Sequence, residues 1–360
     1  MKPGTSLLKF LARIEGLPVA AVLAVLYGVL IFAAPRVFTG FRIYMSFLQT
    51  VPPVLVCALG LTLVITAGEI DLSFPAVVAL SGFIFAWMFK KFDAPWAPWA
   101  GFVLALACGA LVGYINGLLV AKIGVPSIMA TLAAQFFWYG VTVLLANGLQ
   151  LNIKEVTTHI VHTIFVGRIN IGQVPVPMQA LWSVGLAIFL WFILNRHKFG
   201  EEIMFIGDNA NVARVMGIDV VATRIKLFTL MGVIAAFAGL LLTLEINVFF
   251  PTQGSGFLLP TMAAVFIGGT SIAGGLGSIF GTIFGAYIIG SLEAGIVATT
   301  ISGYWVQLVE GVVMGASVVL NIIIEEGHIA TFSNRIRHWV APVHSKTTGE
   351  VPQNDDAALK

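Results

Sequence analysis

The six-residue segment from Gly68 to Ser73 (Gly-Glu-Ile-Asp-Leu-Ser) separates two long apolar runs and carries two carboxylates. An ionisable side chain at the centre of a bilayer costs about 2.5–3.5 kcal/mol on insertion scales, so it rarely lies there without a functional reason. The backbone leaves the helical conformation at that depth only where protein or a water-filled cavity satisfies its polar groups. The segment therefore indicates a path for a solute rather than a simple anchor.

The amino-acid composition distinguishes a membrane protein from a soluble one. Apolar residues make up 58% of the sequence, charged residues only 10%, and the mean hydropathy is +0.97. A soluble domain carries about 25% charged residues, so we predict a polytopic membrane protein. The net charge of +2 gives no basic footprint for nucleic acid. Cys57 and Cys108 lie inside apolar runs, where small core residues are expected rather than a disulfide or a metal site.

Ten apolar stretches are candidates for membrane spans, each of which needs about 20 residues unless it is short and broken. They cover residues 17–34, 46–66, 73–89, 97–121, 127–147, 178–195, 226–248, 260–271, 276–298 and 303–324. We therefore expect an all-α polytopic membrane protein with about ten transmembrane helices, two of them broken. The first run follows basic residues, as in a signal peptide, but its length predicts a retained helix.

Basic residues orient these spans, because cytoplasmic loops carry an excess of Lys and Arg. With the N-terminus in the cytoplasm, thirteen of the 19 Lys and Arg residues fall inside. An odd number of spans would place the basic C-terminal segment outside. The expected organisation is a cytoplasmic segment at 1–16, a transmembrane domain at 17–324 with a cytoplasmic loop at 196–225, and a polar cytoplasmic tail at 325–360.

Two parts of the chain look like copies of one element. Val64–Gly68 precedes a polar break, and Val265–Gly269 precedes the break from Thr270 to Gly275. In the expected topology both segments run from outside to inside before their breaks. Paired broken helices in corresponding positions mark the pathways of transporters.

Motifs for ATP hydrolysis and for enzyme catalysis are absent from the sequence. It contains no Gly-x-x-x-x-Gly-Lys-Ser/Thr phosphate loop, no His-Glu-x-x-His and no Gly-x-Ser-x-Gly. We therefore expect a transport subunit rather than an enzyme. If its transport needs ATP, another chain must hydrolyse it.

The cytoplasmic loop contains a short amphipathic helix between Asp208 or Asn209, either of which is a good N-cap, and Gly217, a good residue for the C′ position. Its apolar face consists of Val212, Val215 and Met216. A helix of about two turns is marginal alone, and it is explained by docking into the groove of a partner. A plain surface helix that packs on its own bundle is the alternative.

Several motifs occur in order along the chain: Ile70-Asp71-Leu72-Ser73, Asn116–Val120, Ala130-Thr131-Leu132, the pattern Phe199-Gly200, Gly207, Asn209, Ala213 and Gly217-Ile218, then Ala263–Ser271 and Gly274–Ser278. With these motifs the chain resembles, over residues 45–325, the permease subunits of the ribose-type ABC importers, a bacterial family that moves simple sugars. Departures such as Glu69, Phe74-Pro75 and Leu258-Leu259-Pro260 leave the class intact and the sugar undefined.

The resemblance implies a type II-like transmembrane domain in the bacterial inner membrane and a path for a monosaccharide or polyol. It implies as partners a second permease copy, an ABC ATPase and an extracytoplasmic sugar-binding protein that sets most of the selectivity. No cofactor is expected on this chain, since ATP and Mg²⁺ would bind the ATPase. The resemblance implies ATPase coupling by Gly200, Gly207, Asn209, Ala213 and Gly217, and we add Arg214 and Met216 of the same helix. Arg214 and Arg224 would meet acidic ATPase residues, or they only follow the positive-inside rule.

Candidate residues of the translocation pathway are Glu69, Asp71, Ser73, Asn116, Gln135 and Asn247. Asp71 and Ser73 have the alternative role of capping the helix that follows, because a carboxylate is favoured at a helix N-terminus. Glu69 lines the path or lies at its cytoplasmic mouth. The three amides line the path or bond between helices. Glu293 and Glu310 fit buried pairing or a dimer contact as well as a functional role.

Two other functions compete with the sugar permease. A branched-chain amino-acid permease is a close relative, and the pattern at residues 199–218 favours sugars. An autonomous proton-coupled carrier would use the carboxylates of Glu69, Asp71, Glu293 or Glu310. The capped helix in the cytoplasmic loop favours a permease over such a carrier. An intramembrane enzyme ranks lowest, since the sequence offers no nucleophile with a base.

Overall fold

The computed structural model describes residues 15–172, 174–298, 302 and 304–325. The predictions for residues 1–14 and for the tail beyond Glu325 lie outside these residues. Fourteen α-helices are described, as follows: α1 Leu17–Ala33, α2 Pro35–Phe38, α3 Phe41–Thr50, α4 Pro52–Thr66, α5 Phe74–Lys91, α6 Ala97–Leu118, α7 Ser127–Leu145, α8 Ile160–Val166, α9 Met178–Arg196, α10 Lys198–Val215, α11 Val220–Ile246, α12 Leu258–Ile267, α13 Ile279–Ala298 and α14 Trp305–Glu325. A π-helical turn, Leu119–Ile123, extends α6.

Six described helices are long and apolar enough to cross a membrane, namely α5, α6 with its π-helical turn, α7, α9, α11 and α13. A seventh span results if α3 and α4, which meet at an angle of 50°, are counted together. The bend falls at Pro52, which begins α4 and cannot continue the backbone ladder of α3. The protein is therefore a mostly helical, multi-pass membrane protein.

Four short strands correct the all-α expectation. Strands β2 (Arg168–Ile171) and β3 (Val174–Pro177) form a hairpin, and β1 (Leu151–Asn152) pairs antiparallel with β4 (Val248–Phe249). The region 148–177, between α7 and α9, also contains α8 and the 3₁₀ turn Lys154–Thr158. Its prolines lie in a two-stranded ribbon, whose edges tolerate a missing N–H group.

Helix α11 is the central element and packs against α4, α5 and α6. Its close contact with α6 depends on Gly109 and Gly232, because a Cβ atom on either would collide with the carbonyl oxygen of the other. The helix begins at Val220, earlier than the predicted 226, since Asp219 caps it by accepting a hydrogen bond from Ala222 N at 2.9 Å. Polar residues in the first turns of α11 lower the local hydropathy, so the sequence pattern placed the start of the helix too late.

The bundle has two distinct ends. Helix α11, about 40 Å long at 1.5 Å per residue, runs from α10 to β4. The end that contains α10 and the start of α11 is called the α10 end, and the opposite one, with the β-hairpin, the hairpin end. Both helix breaks, Ala67–Ser73 after α4 and Gly268–Ser278 after α12, lie at the α10 end, where Gly275 N donates to Thr66 O at 2.8 Å.

Candidate functional site

The two helices that precede the breaks end in the same way. After α4, Gly68 N donates to Ile65 O (2.8 Å) and Glu69 N to Val64 O (3.1 Å). After α12, the bonds are Gly269 N to Phe266 O (3.0 Å) and Thr270 N to Val265 O (3.3 Å). Both glycines have positive φ, at 74° and 87°, as a left-handed C′ residue requires. The repeat predicted from the sequence is confirmed at this level of detail.

Side chains of α7 hold the backbone of the first break. Three of them lie one helical turn apart on one face. The bonds join Ile70 N to Ser127 Oγ (3.2 Å), Leu72 N to Thr131 Oγ1 (3.0 Å) and Ala76 N to Gln135 Oε1 (3.0 Å). Ala76 N also donates to Ser73 O at 3.0 Å, so Gln135 adds a second acceptor for an N–H group in the first turn of α5. The backbone of the break is thus hydrogen-bonded by protein groups.

Asp71, Ser73 and Asn116 form one buried hydrogen-bonded chain. The Asp71 carboxylate accepts from Ser73 N (2.7 Å) and Ser73 Oγ (2.6 Å), and Ser73 Oγ accepts from Asn116 Nδ2 (2.7 Å). The three residues are at most 2% exposed. Asn116 Oδ1 has no hydrogen-bond partner among the described residues. The arrangement fixes the start of α5 and leaves one acceptor available.

Glu69 is not free in the structure. Its Oε1 lies 2.7 Å from Arg224 Nη2, and the two side chains are 9% and 24% exposed. Arg224 Nε is buried without a partner in the described part of the chain. The ion pair joins the first break to the second turn of α11.

Glycines allow α10 to contact both breaks through main-chain atoms. A Cβ atom on Gly207 would collide with Thr66 O and Gly275 N. A Cβ atom on Gly274 would lie 2.8 Å from Gly207 O and 3.0 Å from the Cα atom of Gly68. The first distance is shorter than real Cβ contacts and the second is tighter than most, and Gly274 also has a positive φ of 90°. Glycine is therefore favoured where these three segments meet, which we call the glycine junction.

Helix α10 is two helical segments joined at a kink. Asn209 has φ −159° and ψ 104°, and its Oδ1 accepts from Asn211 N (3.0 Å) and Val212 N (3.2 Å). Gly217, with φ 88°, ends the second segment, where Ile218 N bonds to Ala213 O at 3.1 Å. The predicted caps are therefore present, with Asn209 rather than Asp208 as the N-cap.

The second segment of α10 presents an apolar surface. Val212, Val215 and Met216 are 53%, 89% and 59% exposed. Ala213 faces the other way and packs with Ile206 and Val220. Gly200 lies where α10 turns back against α9, and Arg214 is exposed beside the apolar residues. The name apolar face is kept below for Val212, Val215 and Met216.

The remaining pathway candidate, Asn247, lies at the hairpin end. It terminates α11 in a left-handed conformation with φ 56°, and its carbonyl oxygen accepts from Ile153 N at 3.0 Å. The structure thus gathers Asp71, Ser73, Asn116 and Gln135 around one break and leaves Asn247 apart. Ser127 and Thr131 also support that break and were not predicted to do so, although they recur with Gln135 at intervals of four residues.

These features define a multi-pass membrane protein with two matched helix breaks, and comparison with known proteins assigns its family. Residues 43–318 match the family described as "Branched-chain amino acid transport system / permease component", and the chain belongs to this family. The ribose import permease protein RbsC of Escherichia coli K12 is 34% identical over 305 residues, 83% of this chain and 91% of the relative. No solved structure matches the chain.

Two further relatives support the assignment. The ribose import permease protein RbsC of Bacillus subtilis is 35% identical over 268 residues, which cover 73% of this chain and 80% of that protein. The fructose import permease protein FrcC of Rhizobium meliloti is 31% identical over 310 residues, or 84% of this chain and 85% of the relative. The predicted resemblance to sugar-importer permeases is confirmed.

Proposed function

We propose that this chain is the membrane-spanning permease subunit of an ABC importer for a monosaccharide or related polyol, driven by ATP hydrolysis on a separate ATPase chain. The names of the relatives support sugars, since they specify import of ribose and fructose. The family description refers to branched-chain amino acids, but these relatives share about a third of their residues with the chain over most of its length.

Ten spans in a type II-like arrangement fit the helices. The six long helices and the bent pair leave three shorter apolar helices, Leu17–Ala33, Leu258–Ile267 and Trp305–Ala316, as the helical parts of three further crossings. With ten residues, Leu258–Ile267 covers about half of its crossing. We place the α10 end in the cytoplasm of a bacterial cell, in line with the excess of basic residues on that side. Residues 1–16 and 325–360 are then cytoplasmic, and 17–324 form the permease domain.

The observation that carries the proposal is the apolar face of α10. Three large apolar side chains are exposed on a helix that is capped at both ends, and Ala213 fixes its orientation. Such a helix suits docking into a groove of an ATPase. The glycine junction places the first segment of α10 against both breaks, and the kink at Asn209 joins that segment to the capped one, so movement of the ATPase would have a route to the pathway. Gly200, Gly207, Asn209, Ala213, Arg214, Met216 and Gly217 remain the proposed coupling residues.

The proposed assembly also contains a second permease copy and an extracytoplasmic sugar-binding protein. ATP and Mg²⁺ belong to the ATPase, and this chain needs no cofactor for its part. Asp71, Ser73, Asn116 and Gln135 would shape the pathway by holding the first break. Glu69 would lie at its cytoplasmic mouth, paired with Arg224, and Asn247 near its outer end. The pairing of Glu69 and the burial of Asp71 favour this function over a proton-coupled carrier.

The test is purification of the chain from its native membrane in mild detergent, with the co-purifying proteins identified by mass spectrometry. We expect an ABC ATPase and a periplasmic-type sugar-binding protein, and uptake of sugar into proteoliposomes only when ATP is supplied. A chain that purifies alone and transports without ATP would refute the proposal. The alternative would then be a carrier driven by an ion gradient.

A further inference from the structure

A cavity of about 380 Å³ lies between α4, α13, α14 and the loop Phe250–Phe257 that leads into α12. Its polar wall contains Thr252, Gln253, Ser255, Glu293 and Glu310, and its apolar wall includes Phe250 and Phe257. The volume is at the lower end of the range of about 300–1,000 Å³ for small-molecule sites. A second cavity, of about 430 Å³, shares Glu293 and Glu310 with the first and adds Tyr304 and Gln307.

The cavity lies at a depth that suits a solute in passage. Helix α12 has ten residues and is therefore about 15 Å long, half of a hydrocarbon core of about 30 Å. Because α12 ends near the α10 end, its first residue lies roughly halfway across. The helix therefore begins within the membrane, next to the loop that forms the cavity wall, as half-helices do in transporters that bind near the membrane midplane.

Gln253 supplies an independent sign of a ligand. The side chain is 1% exposed, and its Nε2 donates to Val78 O (3.1 Å) and Thr243 Oγ1 (2.9 Å). Because a carbonyl oxygen can only accept, the contact with Val78 fixes the orientation of the amide. Gln253 Oε1 then remains buried without a partner among the described residues. A buried acceptor without a donor costs about 1–3 kcal/mol, which a hydroxyl group of a ligand would offset.

The charged residues of the cavity wall indicate the chemical class of the ligand. Glu293 and Glu310 are carboxylates, and Glu310 is only 9% exposed. No Lys or Arg is among the described residues that line either cavity. Carboxyl groups offer hydrogen-bond acceptors to a ligand rich in donors. The carboxylate of an amino acid would find no cationic partner among these described residues.

We infer that this cavity is the chamber that holds the solute during transport, and that it takes an uncharged polyhydroxylated molecule of monosaccharide size. Sugar hydroxyls donate to Glu293, Glu310 and Gln253 Oε1, and C–H faces pack on Phe250 and Phe257. The inference rests on the proposed function and adds the site within it. It also separates sugars from amino acids by the chemistry of the wall.

The first experiment tests occupancy without requiring transport. Ser255, exposed on the cavity wall, is changed to Cys in a chain that carries Cys57→Ala and Cys108→Ala. The matched control is Thr157→Cys, on the outer surface of the hairpin end. Purified protein in nanodiscs is labelled with a methanethiosulfonate reagent, in the presence of a panel of pentoses, hexoses, polyols and L-leucine.

We expect at least one sugar or polyol to slow labelling of S255C by about threefold, the factor for a ligand at twice its Kd. L-leucine and the T157C control should show no effect. The inference is overturned if no sugar protects S255C, if sugars slow both variants equally, or if only L-leucine protects.

The second experiment measures ATP-driven uptake by Glu293→Gln, with Glu155→Gln as a control at an exposed ion pair outside the cavity. We expect E293Q to raise the KM for sugar uptake at least about tenfold, a loss of about 1.4 kcal/mol, while E155Q is unchanged. Equal KM values for both variants would overturn the inference. If the wild type shows no ATP-driven uptake, the proposed function fails, and the labelling result alone decides the chamber.

Discussion

The ion pair between Glu69 and Arg224 allows a sharp test, because removing one charge differs from removing both. Glu69→Gln keeps the shape of the side chain and leaves the Arg224 guanidinium largely buried, with its Nε already unpartnered in the described structure. Breaking a fully buried pair costs about 3–5 kcal/mol, mostly from the charge left behind. Since Arg224 is 24% exposed, water stabilises part of that charge, and we expect about 2–3 kcal/mol.

The double variant Glu69→Gln, Arg224→Met removes both charges. It should recover about 2 kcal/mol of the loss, a factor of about 30 in the folded population. Glu155→Gln is the matched control, because Glu155 lies 2.9 Å from Lys90 but both side chains are exposed, at 68% and 39%. A surface pair of this kind contributes about 0–1 kcal/mol.

The assay follows the monodisperse fraction on size exclusion after heating detergent-solubilised protein. We expect E69Q to lose this fraction at the lowest temperature, the double variant at an intermediate one, and E155Q near the wild type. The reasoning is wrong if E69Q is as stable as E155Q, or if the double variant is less stable than E69Q. In the first case Glu69 would return as a residue of the pathway rather than a structural one.

Three further predictions concern other parts of the chain. Val215 is 89% exposed, so Val215→Glu should change the free energy of unfolding by less than about 0.5 kcal/mol. It should weaken recovery of the ATPase in a pull-down at least about 30-fold, since docking would bury an unpaired charge. Undiminished recovery contradicts this prediction. Thr131→Val leaves Leu72 N–H without its acceptor and should cost about 1–3 kcal/mol in thermal unfolding, so an unchanged midpoint would count against the role of α7. Burial lowers the pKa of His162 below 6.5, so the unfolded chain binds a proton that the native one does not, and stability falls as pH drops below that value. His162→Gln should reduce the shift in melting temperature between about pH 7.5 and about pH 5.5, and an equal shift would refute the link.

Local signals in the sequence predicted the parts of the site that depend on backbone conformation. The match of Val64–Gly68 with Val265–Gly269 anticipated two identical helix ends, because a glycine at C′ encodes its own geometry. The cap at Asn209 and the stop at Gly217 followed from side-chain chemistry in the same way. Each of these features depends on residues only a few positions apart, so it could be predicted without knowing the tertiary structure.

The contacts that hold the site together are long-range, and a single sequence does not encode them visibly. Glu69 meets Arg224 across 155 positions, and the polar stripe of α7 bonds to a break 57–61 positions away. The early start of α11 was missed because Thr223 and Arg224 are polar, although Glu202 accepts a hydrogen bond from Thr223 and Glu69 pairs with Arg224. A hydropathy scale measures the partition of a residue into lipid. It does not detect the hydrogen bonds and ion pairs that polar residues form at the end of a helix bundle.

The glycine junction explains how one short helix can act on two distant halves of the chain. Gly207 contacts the breaks through main-chain atoms, and Gly275 N bonds to Thr66 O at 2.8 Å. Backbone contacts without side chains leave little room for rotamer changes, so a displacement of α10 moves both breaks rather than being absorbed locally. In the proposed importer, the two matched helix ends would be the points at which a movement of α10 reaches both halves of the chain.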